Sequence, residues 1–162
     1  MVKSTNALAS APTWQTLSNG LQSAWVSSLA IDPQDPSVVY CSYSNYGVAH
    51  ILKTNDGGQS WFSIDGIDFD GVPDIPVHWI AIRPCNRKQL YAGTELGVFV
   101  SENGGGTWAP ANLGLAHTLV ESLDFQDDNT LAAFTFGRGL FLSSLVPCDG
   151  VVATPSRAMI NP

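Results

Sequence analysis

Short runs in which apolar and polar residues alternate, separated by turn residues, make up most of this chain. Side chains of an extended strand point alternately to its two faces, so this period of two marks strands with one buried face. SSLAIDP (27–33), HWIAIRP (78–84) and the shorter SLDF (122–125) form one set of similar runs. VVYCSYS (38–44), QLYAGTE (89–95) and TLAAFTF (130–136) form a second set, and GVAHILKTNDGG (47–58), GVFVSENGG (97–105) and RGLFLSS (138–144) a third. Val38–Ser44 and Thr130–Phe136 are too short for helices and too rich in Val, Tyr, Phe and Thr. No stretch carries a helical period, and the pattern predicts an all-β chain.

A fourth run in each unit is led by tryptophan. Thr13-Trp14, Ser60-Trp61 and Thr107-Trp108 recur at a constant interval of 47 residues, and TWQTLSNGL, SWFSIDGI and TWAPANLGL each run on into a Gly turn. A period near 45 with four strands per unit is the signature of a β-propeller blade. The reading is a partial β-propeller of about three four-stranded antiparallel blades over 13–145. A short N-terminal extension (1–12) precedes it, and a Pro-containing C-terminal extension without the repeat (146–162) follows.

Thr54-Asn55-Asp56-Gly57-Gly58-Gln59-Ser60-Trp61 fits the Asp-box pattern Ser/Thr-x-Asp-x-Gly-x-Thr/Ser-Trp at every defined position. Ser101-Glu102-Asn103-Gly104-Gly105-Gly106-Thr107-Trp108 fits it with Asn in place of Asp. The chain therefore resembles the Asp-box (BNR) propellers, which include sialidases, xyloglucanase-type glycoside hydrolases, sortilin-type receptors and photosystem II assembly propellers. The resemblance implies a hairpin loop on the rim, away from the ligand-binding face. It also implies Trp61 and Trp108 packed between the hairpin and the next blade. Thr135-Phe136-Gly137-Arg138-Gly139 looks like the Thr-x-Gly-Arg-Gly signature that closes the last blade in this family. The physics of the box is structural: Asp56 or Asn103 folds back onto loop N–H groups as an Asx-turn does, and Gly58 and Gly105 supply positive φ.

Composition narrows the function. The 162 residues carry 7 Lys+Arg against 14 Asp+Glu, a net charge of −7 with a pI near 4.5. A phosphate backbone would be repelled, and no basic cluster exceeds Arg87-Lys88, so nucleic acid is excluded as a partner. No run of 18 apolar residues predicts a transmembrane segment, and the N-terminus lacks the apolar stretch of a signal peptide. Compartment stays open, although the resemblance leans extracellular or periplasmic. Cys41, Cys85 and Cys148 lie far apart without a CxxC, which reads as buried thiols plus one in the tail, with a disulfide between two of them as the alternative.

Candidate chemistry is sparse. Arg83, Arg87, Arg138 and Arg157 are the only arginines, too few on one face for a three-arginine sialidase site. A glycoside hydrolase needs two carboxylates facing each other about 5–9.5 Å apart. Asp68, Asp70 and Asp74 in GIDFDGVPDIPVHW, with Glu95 and Glu121 at strand ends, are the candidates. Their DxDxxxD spacing suits oxygen ligation of calcium but lacks the EF-hand pattern, so no metal or cofactor is assigned. His78 and Glu121 follow Val77 and Val120 at matching repeat positions and, with Ser27, are expected at one end of the channel. Tyr43 and Tyr46 in YSNYG are read as a loop contact pair, Trp25 and Trp79 as interblade core, and His50 and His117 as surface or strand-edge residues.

These readings favour a non-catalytic interaction or scaffolding module that binds a protein or a glycan. The alternatives are part of a carbohydrate-active propeller or a structural subunit of a larger complex. The strand count gives one Trp-led strand, two complete blades and three further strands. Because rings have four to eight blades, the expected partner is a second copy in a six-bladed ring, or a larger complex that supplies the missing blades.

Overall fold

A computed structural model describes residues 1–66, 70–111, 114–115 and 117–148. Thirteen strands follow one another: β1 (Val2–Lys3), β2 (Gln15–Thr16), β3 (Val26–Ile31), β4 (Val39–Tyr43), β5 (Ile51–Thr54), β6 (Phe62–Ser63), β7 (Val77–Arg83), β8 (Asn86–Thr94), β9 (Gly97–Ser101), β10 (Ala109–Ala111), β11 (Val120–Asp127), β12 (Thr130–Thr135) and β13 (Gly139–Ser144). Each pairs antiparallel with its sequence neighbour inside four sheets: β1-β2, β3 to β6, β7 to β10, and β11 to β13. The last three sheets are blades 1, 2 and 3. Asp68 and Phe69 lie outside the described residues, as does the C-terminal extension beyond Cys148, including Arg157.

Strand alternation decides how the blades stack. Along blade 2, Ile80, Leu90, Ala92 and Phe99 point to one side and join Tyr40, Ile51 and Ile64 of blade 1 in one apolar cluster. Ala81, Tyr91 and Val98 point to the other side and join Val120, Leu123, Leu131 and Ala133 of blade 3. Blade 2 is thus covered on both faces, and the first strands β3, β7 and β11 stand side by side. Those inner strands line a groove of about 560 Å³ bordered by Leu29, Trp79, Ile82, Phe125 and Phe134.

The loops after β5 and β9 are built alike. Gly58 N–H donates to Thr54 Oγ1 at 2.9 Å, and Ser60 N–H and Oγ–H donate to the two Asp56 oxygens at 2.9 and 2.5 Å. In blade 2, Gly105 N–H donates to Ser101 Oγ at 2.8 Å, Thr107 N–H to Asn103 Oδ1 at 2.9 Å, and Asn103 Nδ2–H to Thr107 Oγ1 at 3.0 Å. The tryptophans correct the expectation of packing on the following blade. Trp108 lies in the cluster shared with the preceding blade and donates Nε1–H to Ile64 O at 2.6 Å, while Trp61 packs with Cys41, Tyr43 and Leu52 on the side away from blade 2.

Hydrogen bonds from the Ser60 side chain, the Ser60 backbone and the Thr54 hydroxyl hold the Asp56 carboxyl well below the usual carboxylate range. A depressed folded-state pKa contributes stability above the unfolded value near 3.9 and loses it as pH falls through the folded value. Asp56→Asn should therefore melt near wild type at pH 7, as Asn103 performs the same role, and lose part of the acid sensitivity. Asp56→Ala should melt lower at every pH. Thermal melts of the three proteins between pH 2.5 and 7 check this, and an Asp56→Ala melt equal to wild type at pH 7 would contradict it.

One disulfide, Cys85–Cys148, joins the end of blade 2's first strand to the segment after β13, and Cys41 is a buried free thiol whose pKa burial pushes up to about 11. This replaces the reading of Cys85 as a buried thiol. Beside the disulfide, buried Arg83 donates to Gln89 Oε1 at 2.6 Å, Val146 O at 2.7 Å, Asp128 O at 2.8 Å and Asn129 Oδ1 at 2.9 Å. The expected lone strand near Trp14 also has a partner, since Gln15–Thr16 pairs with Val2–Lys3.

Candidate functional site

Antiparallel register places one end of every blade at a common face. The starts of β3, β7 and β11, the β4–β5, β8–β9 and β12–β13 turns, and the links from one blade to the next all lie there. Each first strand breaks its ladder at the same place, between Val26 and Ser28, Val77 and Trp79, and Val120 and Ser122. The residue displaced by each bulge is Ser27, His78 or Glu121. Bulges re-aim side chains at sheet ends, and here they set three different polar groups at the rim of the groove. Ser27 Oγ–H donates to Val77 O at 2.5 Å. Nε2 of His78 is buried and takes no hydrogen bond among the described residues, and Glu121 is exposed.

A second group gathers where blades 1 and 2 meet. Tyr46 donates its phenol O–H to Glu95 Oε2 at 2.5 Å, linking the β4–β5 turn to the β8–β9 turn. Asp74 Oδ1 accepts Gly47 N–H at 2.6 Å, and Asp65 accepts the N–H groups of His50 at 2.7 Å and Ile51 at 2.6 Å. His50 is only 4% exposed and stands between the two acids, its Nδ1 3.4 Å from Asp65 Oδ2 and its Nε2 3.2 Å from Asp74 Oδ1. A shallow depression bordered by Gln22, Gly47, Ala49 and Val72 opens over this group.

Burial opposes the charged form of His50, but Asp65 and Asp74 outweigh it, and the pKa is raised. A raised folded-state pKa gives stability that is complete below the unfolded value near 6.5 and declines as pH rises through the folded value. Wild type should lose melting temperature between pH 5.5 and 8.5 while His50→Gln gives a flatter profile; parallel profiles would show that His50 does not titrate.

The structure redistributes several sequence candidates. Tyr46, Asp74 and Glu95 are brought together, with Asp70 exposed on the same link. Tyr43 is corrected: it is the last residue of β4, and the ring is fully buried beside Cys41 and Trp61. Trp25 is not interblade core but 76% exposed, its N–H bound to Asn45 Oδ1, whereas Trp79 packs against the cluster between blades 2 and 3. Arg138 stands exposed in the β12–β13 turn. Of the two readings of His50, the strand edge holds, since it directly precedes β5 and its carbonyl accepts Tyr43 N–H, while the surface reading is overturned by its burial, and neither it nor Asp65 was a candidate. The signal was available: His50 occupies the repeat position held by Gly97 and Gly139, so blade 1 alone carries a side chain there.

Four-stranded antiparallel blades stacked face to face, with first strands side by side, define a segment of a β-propeller. Among solved structures, the fold is similar to the GH74 xyloglucanase from Xanthomonas campestris, with a TM-score of 0.55 and 16% identity over 66% of this chain and 18% of that one. It is also similar to an ancestral GH74 enzyme, with a TM-score of 0.56 and 20% identity over 80% of this chain and 18% of that one. YCF48 bound to D1 peptide gives a TM-score of 0.59 and 15% identity over 80% of this chain and 40% of that one. The chain thus spans less than half the length of each. No protein-family model and no curated protein matches it. Among the described residues no helix is long and apolar enough to cross a membrane.

Proposed function

We propose that the chain is a non-catalytic β-propeller module that recognises a cationic segment of another protein through its loop face. The observation that carries this reading is the employment of the acids. Asp65, Asp74 and Glu95 each hold a neighbouring loop in place, and the imidazole of His50 stands between Asp65 and Asp74 where a hydrolase would need an open cleft. What remains for a ligand is a surface on which the carboxylates of Asp70 and Glu121 outnumber the one exposed arginine, Arg138, beside exposed Trp25, Tyr46 and Phe136. Exposed aromatics beside carboxylates suit a basic, partly apolar peptide. One of the similar propellers binds a peptide, which supports a peptide as a ligand class for this fold. Kinship with the Asp-box propellers belongs to the same proposal, supported by the matching hydrogen bonds of the 54–61 and 101–108 loops.

Biolayer interferometry with an immobilised lysine- and tyrosine-containing peptide, beside xyloglucan oligosaccharides and a reducing-end assay on xyloglucan, tests the proposal. Peptide binding that weakens with salt and with Glu121→Gln is the expected result. Release of reducing ends from xyloglucan, or binding to the oligosaccharides alone, would overturn it in favour of a carbohydrate-active propeller.

A further inference from the structure

We propose that a second copy of this chain completes blade 3, its Gln15–Thr16 strand seating beside Phe141–Leu142, so that two chains close head to tail into one ring of six blades. The inference is independent of the ligand bound at the loop face.

The first support is that β2 is a displaced fourth strand. It stands 47 residues before β6 in sequence, and its neighbours repeat those of β6. Ile64 fills the space over Gly105 of the following loop, and Leu17 fills the space over Gly58. Trp108 N–H donates to Asp70 O, and Trp61 N–H donates to Asn19 O. Residues 14–20 therefore lie where the outer strand of a blade preceding blade 1 belongs.

The seat next to that strand is filled by a substitute. In blade 1 the third strand pairs Leu52 with Ser63 and Lys53 with Phe62; in blade 2, Phe99 pairs with Pro110 and Val100 with Ala109. Val2 pairs with Thr16 and Lys3 with Gln15 in the same register, and Leu17 N–H donates to Met1 O as Ile64 N–H does to Ile51 O. Three residues stand in for a third strand.

Blade 3 has the complementary gap. Its third strand, β13, has no fourth strand beside it among the described residues, and the chain leaves that edge. Val146 O is held by Arg83 and Cys148 is bonded to Cys85, so residues 145–148 turn back toward blade 2 instead of forming the loop that leads to β6 or β10. The pairs Cys41–Leu52, Ala92–Phe99 and Ala133–Phe141 are equivalent. Phe141 and Leu142 thus occupy the positions of Leu52 and Lys53, which Val2 and Lys3 imitate.

Exposure fits the same closure. Leu29 is 52% exposed where its blade 2 counterpart Ile80 is 2%, and Leu140 is 52% exposed where its counterpart Val98 is 3%. Ile31, Phe134 and Leu142 are exposed on the same two end faces. Unpaired edges and apolar faces of this kind are association surfaces, and a heterologous contact that closes by rotation gives a finite ring.

The 162-residue chain should scatter light as twice 17.3 kDa across the micromolar range. Opposed strand residues lie within the Cα span of a disulfide, so Gln15→Cys with Leu142→Cys should give a covalent dimer on a non-reducing gel, and neither single variant should. Within one chain these positions are separated by blades 1 and 2. Leu140→Asp, exposed in a single chain, should shift the mass to one chain while the far-UV circular dichroism stays unchanged. Removing Val2 and Lys3 should move dimerisation to lower concentration, because the substitute strand no longer competes. A folded single-chain mass across that range, or a dimer that fails to cross-link in the paired-cysteine variant, overturns the proposal.

Discussion

Replacing both Cys85 and Cys148 by serine should lower the melting temperature by about 8–16 °C, the equivalent of roughly 4 kcal/mol for a domain of this size. The bond closes a loop of 63 residues in sequence separation, and cross-linking so long a loop removes much of the freedom of the unfolded chain. The folded state loses more than a constraint, because residues 145–148 also bring Val146 O to buried Arg83. Arg83→Met should itself cost about 3 kcal/mol, since several buried acceptors lose a charged donor together. The two effects should add to less than their sum, as both act on one segment. Calorimetry gives the melting temperatures, and amide exchange should show β11 to β13 opening first. A loss below about 2 °C in the double-serine variant would mean that the segment is held without the bond.

Gly105→Ala should destabilise by about 3 kcal/mol and Gly104→Ala, one residue earlier in the same loop, by about 1 kcal/mol. Both glycines have positive φ, 77° at Gly104 and 97° at Gly105, so each substitution meets the left-handed backbone penalty. They differ in surroundings. A Cβ on Gly104 would meet nothing within 4 Å, whereas one on Gly105 would lie 2.5 Å from Ile64 Cδ1. Ile64 belongs to the cluster between blades 1 and 2 and cannot retreat without opening it. Urea denaturation of the two variants measures the difference directly. Equal midpoints would show that the loop can slide away from blade 1.

Blade architecture was legible in the sequence because it rests on local rules. Alternation assigned β3 to β5, β7 to β9 and β11 to β13. The recurring tryptophans gave the period, and the box residues from Thr54 to Trp61 specified a loop whose side-chain hydrogen bonds from Thr54 and Asp56 run within eight residues. Of the face residues, repeat position found Ser27, His78 and Glu121, since a shared bulge keeps one offset in every blade. Tyr43 was misplaced because strand and turn meet at that residue, and only its register with Val26 puts the ring inside.

By itself, then, the sequence determined the all-β class, the four-strand unit, its spacing and the two capped loops, all products of side-chain period and turn chemistry over short distances. Only the tertiary structure decided what depends on residues far apart in the chain. It set His50 between Asp65 and Asp74, bonded Cys85 to Cys148, buried Arg83 against blade 3, and aligned Val2–Lys3 beside Gln15–Thr16 in the register of a third strand. Such contacts form only when separate blades stack and bring distant side chains into one place, and no local pattern encodes which distant groups will meet.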